Sequence, residues 1–175
     1  VAHDDTATTD PGRTVRIDVL DNDSTGPRPC VTLLRQPAHG TATVESEPVD
    51  DAPDKPVVSY TPEPGFSGTD DFTYLLSLSC KGRGTSKGQV GVTVRPPGAV
   101  DDILTSFGGR EARVDVLAND VDAAHFQVRP GTAAHGRVRQ DGETLVYRPD
   151  DGFTGGTDQF TYDLISTSGD VVSTA

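Results

Sequence analysis

The stretch PGFSGTDDFTY, residues 64–74, is written a second time as DGFTGGTDQFTY, residues 151–162, with one glycine added. Gly65 and Gly68 permit backbone angles that a side-chained residue resists. Phe66, between them, is placed to plug one end of a core. Asp70 is placed to accept hydrogen bonds from nearby backbone amides as an Asx-type cap. From there Asp70, Phe72, Tyr74 and Leu76 fall on one face at period two, as do Asp158, Phe160, Tyr162 and Leu164 in the second writing. Phe66, Asp70 and Tyr74, with Phe153, Asp158 and Tyr162, therefore read as a structural corner made twice.

Working outward, the rest of the chain doubles too. RIDVLDND at 16–23 returns as RVDVLAND at 113–120, offset by 97, and AHG at 38–40 returns at 134–136, offset by 96. SYTPEPGFSG at 59–68 returns as VYRPDDGFTG at 146–155, offset by 87, and the corner follows from Thr69 at 88. The drop of nine lies within ESEPVDDAPDKP, residues 45–56, which reads as an acidic, proline-rich loop inserted in the first copy. Matching order, with the one large change of length confined to a loop, implies duplicated domains, 1–96 and 97–175, split at Pro96-Pro97-Gly98.

Each copy reads as short strands between turns. TVRIDVL sets Val15, Ile17 and Val19 against Thr14, Arg16 and Asp18; FTYLLSLSC places Phe72, Tyr74, Leu76, Leu78 and Cys80 on one face; GQVGVTV closes the copy with Val90, Val92 and Val94. About seven such strands per copy predict an all-β chain of two antiparallel β-sandwiches, with the corner at the spacing of a tyrosine corner that ties its strand to the preceding turn. After Tyr74 the first copy runs 20 residues to Val94, whereas 13 residues follow Tyr162. The closing strand of the second domain thus reads as truncated by about seven residues, leaving an edge to be completed by further chain or by a partner strand.

Composition narrows the function. A formal charge of −12 argues against nucleic-acid and anionic-membrane binding, which need Lys/Arg clusters. No apolar run has the length to insert across a bilayer. Nucleophile elbows, HExxH, P-loops and dinucleotide fingerprints are missing from the sequence, so no catalytic residue is assigned and a non-enzymatic role is expected. The chain begins at Val1 with no initiator Met or signal-like segment, which reads as an excised piece of a longer chain with further tandem repeats, or as a processed product; export is not read from it.

The combined motif (DD, then VLxND, then AHG, then YxPxxGFxGxDxFxY) resembles the bacterial cadherin-like and Ig-like tandem repeats related to VCBS repeats, over essentially the whole chain, twice. The resemblance implies a secreted or cell-surface bacterial protein whose repeats act as spacers, adhesion stalks or ligand-binding modules, often with calcium. It departs from antibody-type domains in lacking Trp and in having Leu76 and Leu164 where the second cysteine would stand, so a bond between the two sheets of the antibody kind is excluded.

Calcium takes about 6–8 oxygen ligands. The candidates are Asp101, Asp102, Asn119, Asp120, Asp122 and Asp158 in the second copy, stiffening the junction, and Asp4, Asp5, Asn22, Asp23 and Asp70 in the first. Turn capping by the same Asn and Asp side chains is the competing reading. Cys30 and Cys80 lack zinc-site spacing and have no counterparts in the second copy, which favours a disulfide over two buried thiols and implies an oxidising compartment. His39 and His135 read as turn residues opening hairpins. The alternative function is a carbohydrate- or protein-binding accessory module of a secreted enzyme, with a surface protein or glycan as partner. Phe107 and Phe126, the two aromatic residues without a repeat match, are its sugar-platform candidates.

Overall fold

The computed structural model describes residues 1–49, 52–80 and 83–175, and the chain falls into two compact units, Val1–Arg95 and Pro96–Ala175. Every regular element among the described residues is a strand. In unit 1, β1 (Asp5–Thr9), β3 (Cys30–Arg35), β6 (Gly68–Ser79) and β7 (Arg83–Val94) form one sheet in the order β1-β7-β6-β3. The second sheet is β2 (Val15–Ile17), β4 (Gly40–Val49) and β5 (Ala52–Pro62), in the order β2-β5-β4. The core lies between them and is built from Val19, Tyr60, Phe72, Tyr74, Leu76 and the three valines of β7. Period-two patterning produces this directly, because alternate side chains of a strand share a face.

Four details differ from the sequence expectations. The pairing of β1 with β7 is parallel, Asp5 opposite Val90 through Thr9 opposite Val94, while the other named strand pairs are antiparallel. The inward face of β6 ends at Leu76: Ser77 is buried too, and Leu78 turns out to solvent. There Leu78 lies over Gly84, a left-handed residue at φ 64° in the β6–β7 hairpin. The nine-residue insertion is not a loop but an extended hairpin, with β4 and β5 paired from Gly40–Pro62 out to Val49–Ala52. Pairing satisfies backbone groups that an irregular loop would leave to water. Residues 50 and 51 of that insertion lie outside the described residues. Finally, Phe126 is 5% exposed and packs in the core of unit 2, so it is no sugar platform.

Cys30 and Cys80 form a disulfide with Cα atoms 5.2 Å apart. It joins the start of β3 to the residue after β6, within one sheet, consistent with Leu76 standing where an inter-sheet bond would need sulfur.

Unit 2 follows the plan with shorter strands and with six of them where about seven were expected, because residues 101–106, the counterpart of β1, form no ladder. β8 (Ala112–Val114), β10 (Gly136–Asp141) and β11 (Thr144–Pro149) form one sheet, and β9 (Gln127–Pro130), β12 (Tyr162–Ile165) and β13 (Val171–Thr174) the other. Tyr162 exchanges backbone hydrogen bonds with Ala175, as Tyr74 sits opposite Gly88 in unit 1. In unit 1 the strand then continues through Gln89–Val94, between β1 and residues 68–73. In unit 2 the equivalent walls, residues 101–106 and 156–161, belong to no strand.

Candidate functional site

The repeated residues gather into two polar knots per unit. In the first knot of unit 1, the amides of Ala38 and His39 donate to the two oxygens of Asp70, each at 2.9 Å, and Asp71 N–H donates to Oδ1 at 2.9 Å. The Tyr60 hydroxyl donates to Asp70 Oδ2 at 3.0 Å. The His39 ring stacks on Phe66, centroids 4.4 Å apart. Gly40 completes the arrangement, since a Cβ there would stand 2.6 Å from the Tyr60 ring and 2.7 Å from Thr61 O. AHG, the tyrosine of YTP, GF and the aspartate are therefore one constellation, separated along the chain and joined in space.

Unit 2 reproduces it. Ala134, His135 and Gln159 amides and the Tyr147 hydroxyl all donate to Asp158, and His135 stacks on Phe153. Burial would raise both aspartates, but the amides and the hydroxyl outweigh it and hold Asp70 and Asp158 below the usual carboxylate range. The same contact, with burial leading, pushes the Tyr147 hydroxyl up to about 12.

The expected roles need correction here. Asp70 caps amides 31 and 32 residues away, besides that of its neighbour, so it ties strands together instead of closing its own turn. The tyrosine bound to it is Tyr60, from β5.

Tyr74 anchors the second knot. Its hydroxyl lies 3.0–3.1 Å from His3 O, Val19 O, Asp5 Oδ2 and Asp23 Oδ2. One phenolic proton faces four acceptors, so this tyrosine grips the N-terminal segment and the loop after β2, not the preceding turn. Burial, followed by repulsion from Asp23 against the help of Tyr74, raises Asp5 to about 6. Asp23 Oδ1 also accepts His3 N–H, and Asn22 Nδ2 donates to Asp4 O. In unit 2 the Tyr162 hydroxyl donates to Asp120 Oδ1 at 2.8 Å and lies 3.2 Å from both Val100 O and Val116 O. Asn119 Nδ2 donates to Asp101 O, and Val100 N–H to Asp120. Asp102 Oδ2 and Asp120 Oδ2 are buried without a hydrogen-bond partner, and burial together with Asp120 raises Asp102.

The structure thus separates the calcium candidates. Asp5 with Asp23, and Asp102 with Asp120, are brought together; Asp70 and Asp158 are held by a different set of donors. Asp122 stands in a left-handed turn at φ 53°, and the Asp101 side chain is exposed. Among the described residues no three His, Cys, Asp or Glu side chains gather as a metal-binding group. The partnership of Tyr60 with Asp70 went unforeseen, although both residues, and the glycine beneath the ring, recur at matched positions in the two copies.

Among solved structures, the endo-fucoidan hydrolase MfFcnA4 of glycoside hydrolase family 107 aligns with 99% of this chain and 27% of its own, at 13% identity and a TM-score of 0.32. The SGBP-B protein of the Bacteroides ovatus mixed-linkage glucan utilization locus, solved with a mixed-linkage heptasaccharide, aligns with 95% of this chain and 38% of its own, at 15% identity and a TM-score of 0.25. The chain spans well under half the length of either structure, and likenesses that weak support no inference. No curated protein matches significantly. The bacterial Ig domain family matches residues 1–93 and again residues 95–175, the two copies already traced through their shared knots. The chain belongs to the bacterial Ig domain family and carries its domain twice in tandem.

Proposed function

We propose that these two domains are a non-catalytic spacer in an exported bacterial protein, a stalk segment that holds an adhesive or catalytic region away from a surface. The reading rests on one observation: the repeated Asp70/Asp158 and Tyr74/Tyr162 pairs make internal hydrogen bonds to matching backbone groups in each copy. Asp70 and Asp158 hold amides, and Tyr74 and Tyr162 hold the segments before and after the first strands. Side chains consumed in this way build a scaffold. The disulfide and the bacterial Ig family both support export.

Calcium stiffening belongs to the same reading, and its foothold is in unit 2. Asp102 and Asp120 each keep a buried oxygen without a partner, the kind of hard donor calcium selects. A cation held there would draw its remaining oxygens from backbone carbonyls and water. Isothermal titration is expected to show binding that Asp120→Asn weakens; a flat titration at millimolar calcium would remove this part of the proposal.

The accessory-module reading keeps one support, Phe107, which is 77% exposed beside Gly108 and Gly109. A glycan array decides between the two. The spacer reading expects no hits, whereas a hit lost on Phe107→Ala would replace it with sugar binding.

A further inference from the structure

Four of the six arginines of unit 2 stand on the outer face of one sheet, β10-β11-β8. Val114 and Val138 pack against the core, and Leu145 and Tyr147 are buried. The alternate residues therefore point away from it: Arg113 on β8, Arg137 and Arg139 on β10, Val146 and Arg148 on β11. The register sorts them into two rows. Arg139, Val146 and Arg113 lie side by side, and this row is neutralised. Arg113 reaches Asp141 at 2.6 Å, and Arg139 reaches Asp141 at 3.5 Å and Glu111 at 3.4 Å. Arg139 and Glu111 meet across β11, over Val146, which is fully buried. In the next row Arg137 stands directly opposite Arg148, and both are exposed. Among the described residues neither guanidinium has an ion-pair or hydrogen-bond partner.

Unit 1 has the same face without that pair. Counting from AHG and from the tyrosine of YTP and YRP, Thr41 and Thr61 are the counterparts of Arg137 and Arg148, and they too stand directly opposite each other. The Thr61 hydroxyl bonds that of Thr14 at 2.7 Å. The fold therefore asks for no charge at these two positions. Like charges placed directly opposite on a sheet repel and cost stability. In unit 2 that cost is left uncompensated, in a chain whose formal charge of −12 supplies carboxylates in plenty. We propose that Arg137 and Arg148 form a binding site for a phosphate group, either inorganic phosphate or phosphate carried as a monoester. The two guanidiniums bring two positive charges, and such a phosphate brings about two negative ones at neutral pH. Each planar fork can take two of its oxygens in parallel. Glu111 and Asp141 in the adjoining rows repel a densely charged polyanion while leaving room for a single group. The proposal does not draw on the spacer reading.

The test compares the full 175-residue chain with its Arg137→Thr/Arg148→Thr variant, which gives unit 2 the residues that unit 1 carries. Isothermal titration at low ionic strength is run with inorganic phosphate, with phenyl phosphate as the monoester, and with singly charged dimethyl phosphate as the control. The expected result is saturable binding of both doubly charged ligands, weaker by about tenfold for dimethyl phosphate, and lost in the variant. Phenyl phosphate binding the tighter of the two assigns the site to an esterified group; otherwise the free ion is its ligand. In chloride buffer unit 2 of the variant is expected to melt no lower than that of the unaltered chain, because a repulsion has been removed. Phosphate binding that survives in the variant, or no binding of either doubly charged ligand, overturns the proposal. A variant that melts several degrees lower in chloride overturns it too, since the pair would then serve the fold.

Discussion

Asp5 and Asp70 lie in the same sandwich, yet their surroundings push them in opposite directions. Asp70 receives three amides and a hydroxyl, so its ionised form is favoured in the fold; that stability is present above the unfolded carboxylate range and is lost as pH falls through the depressed native value. Asp5 faces burial and Asp23, and its native value near 6 lies above the unfolded one near 3.9. The folded state therefore binds the proton more readily than the unfolded chain, and Asp5 costs stability as pH rises from about 4 through 6. Asp5→Asn keeps an oxygen for Tyr74 while removing the charge. It is expected to raise the melting temperature of unit 1 by a few degrees at pH 8 and to have little effect at pH 4, read by calorimetry in chelator. Gly40 makes the converse point. Its added methyl would meet both the Tyr60 ring and the fixed carbonyl of Thr61, so Gly40→Ala is expected to destabilise unit 1 by about 1–3 kcal/mol, the usual range for overpacking, in denaturant titration.

Among the elements, β6 was legible in its first half and misleading in its second. Period two marks Phe72, Tyr74 and Leu76 because each must face the core, but nothing in FTYLLSLSC signals that Leu78 instead lies over a left-handed glycine. The parallel partner of β1 was hidden for a similar reason: a strand's pattern gives its faces, not its neighbours. The carboxylate networks were half legible. Repetition singled out Asp70 and Tyr74, but which tyrosine grips which aspartate depends on contacts spanning 10 to 71 residues, beyond any local pattern. The disulfide was readable from a copy-specific pair of cysteines. It fastens β3 to the far end of β6 across a span of 50 residues, a constraint worth about 4 kcal/mol in the chain-entropy account. Reduction, or paired Cys→Ser substitution, should lower the melting of unit 1 by that order and leave unit 2 unmoved, a difference that separates the two transitions in a calorimetric scan.

Across the whole molecule, two copies of one plan differ in how they are closed. Unit 1 pairs a four-stranded sheet with a three-stranded one and has a covalent tie; unit 2 has two three-stranded sheets. The parallel pairing of β1 with β7 carries this difference into mechanics. Chain enters unit 1 through β1 and leaves through β7, so tension on its ends slides the two strands lengthwise past each other. Five residue pairs then resist together in shear, instead of unzipping singly. Unit 2 offers no equivalent ladder along residues 101–106. Single-molecule pulling on these 175 residues should therefore show oxidised unit 1 rupturing at a higher force than unit 2, because its two terminal strands are loaded in parallel.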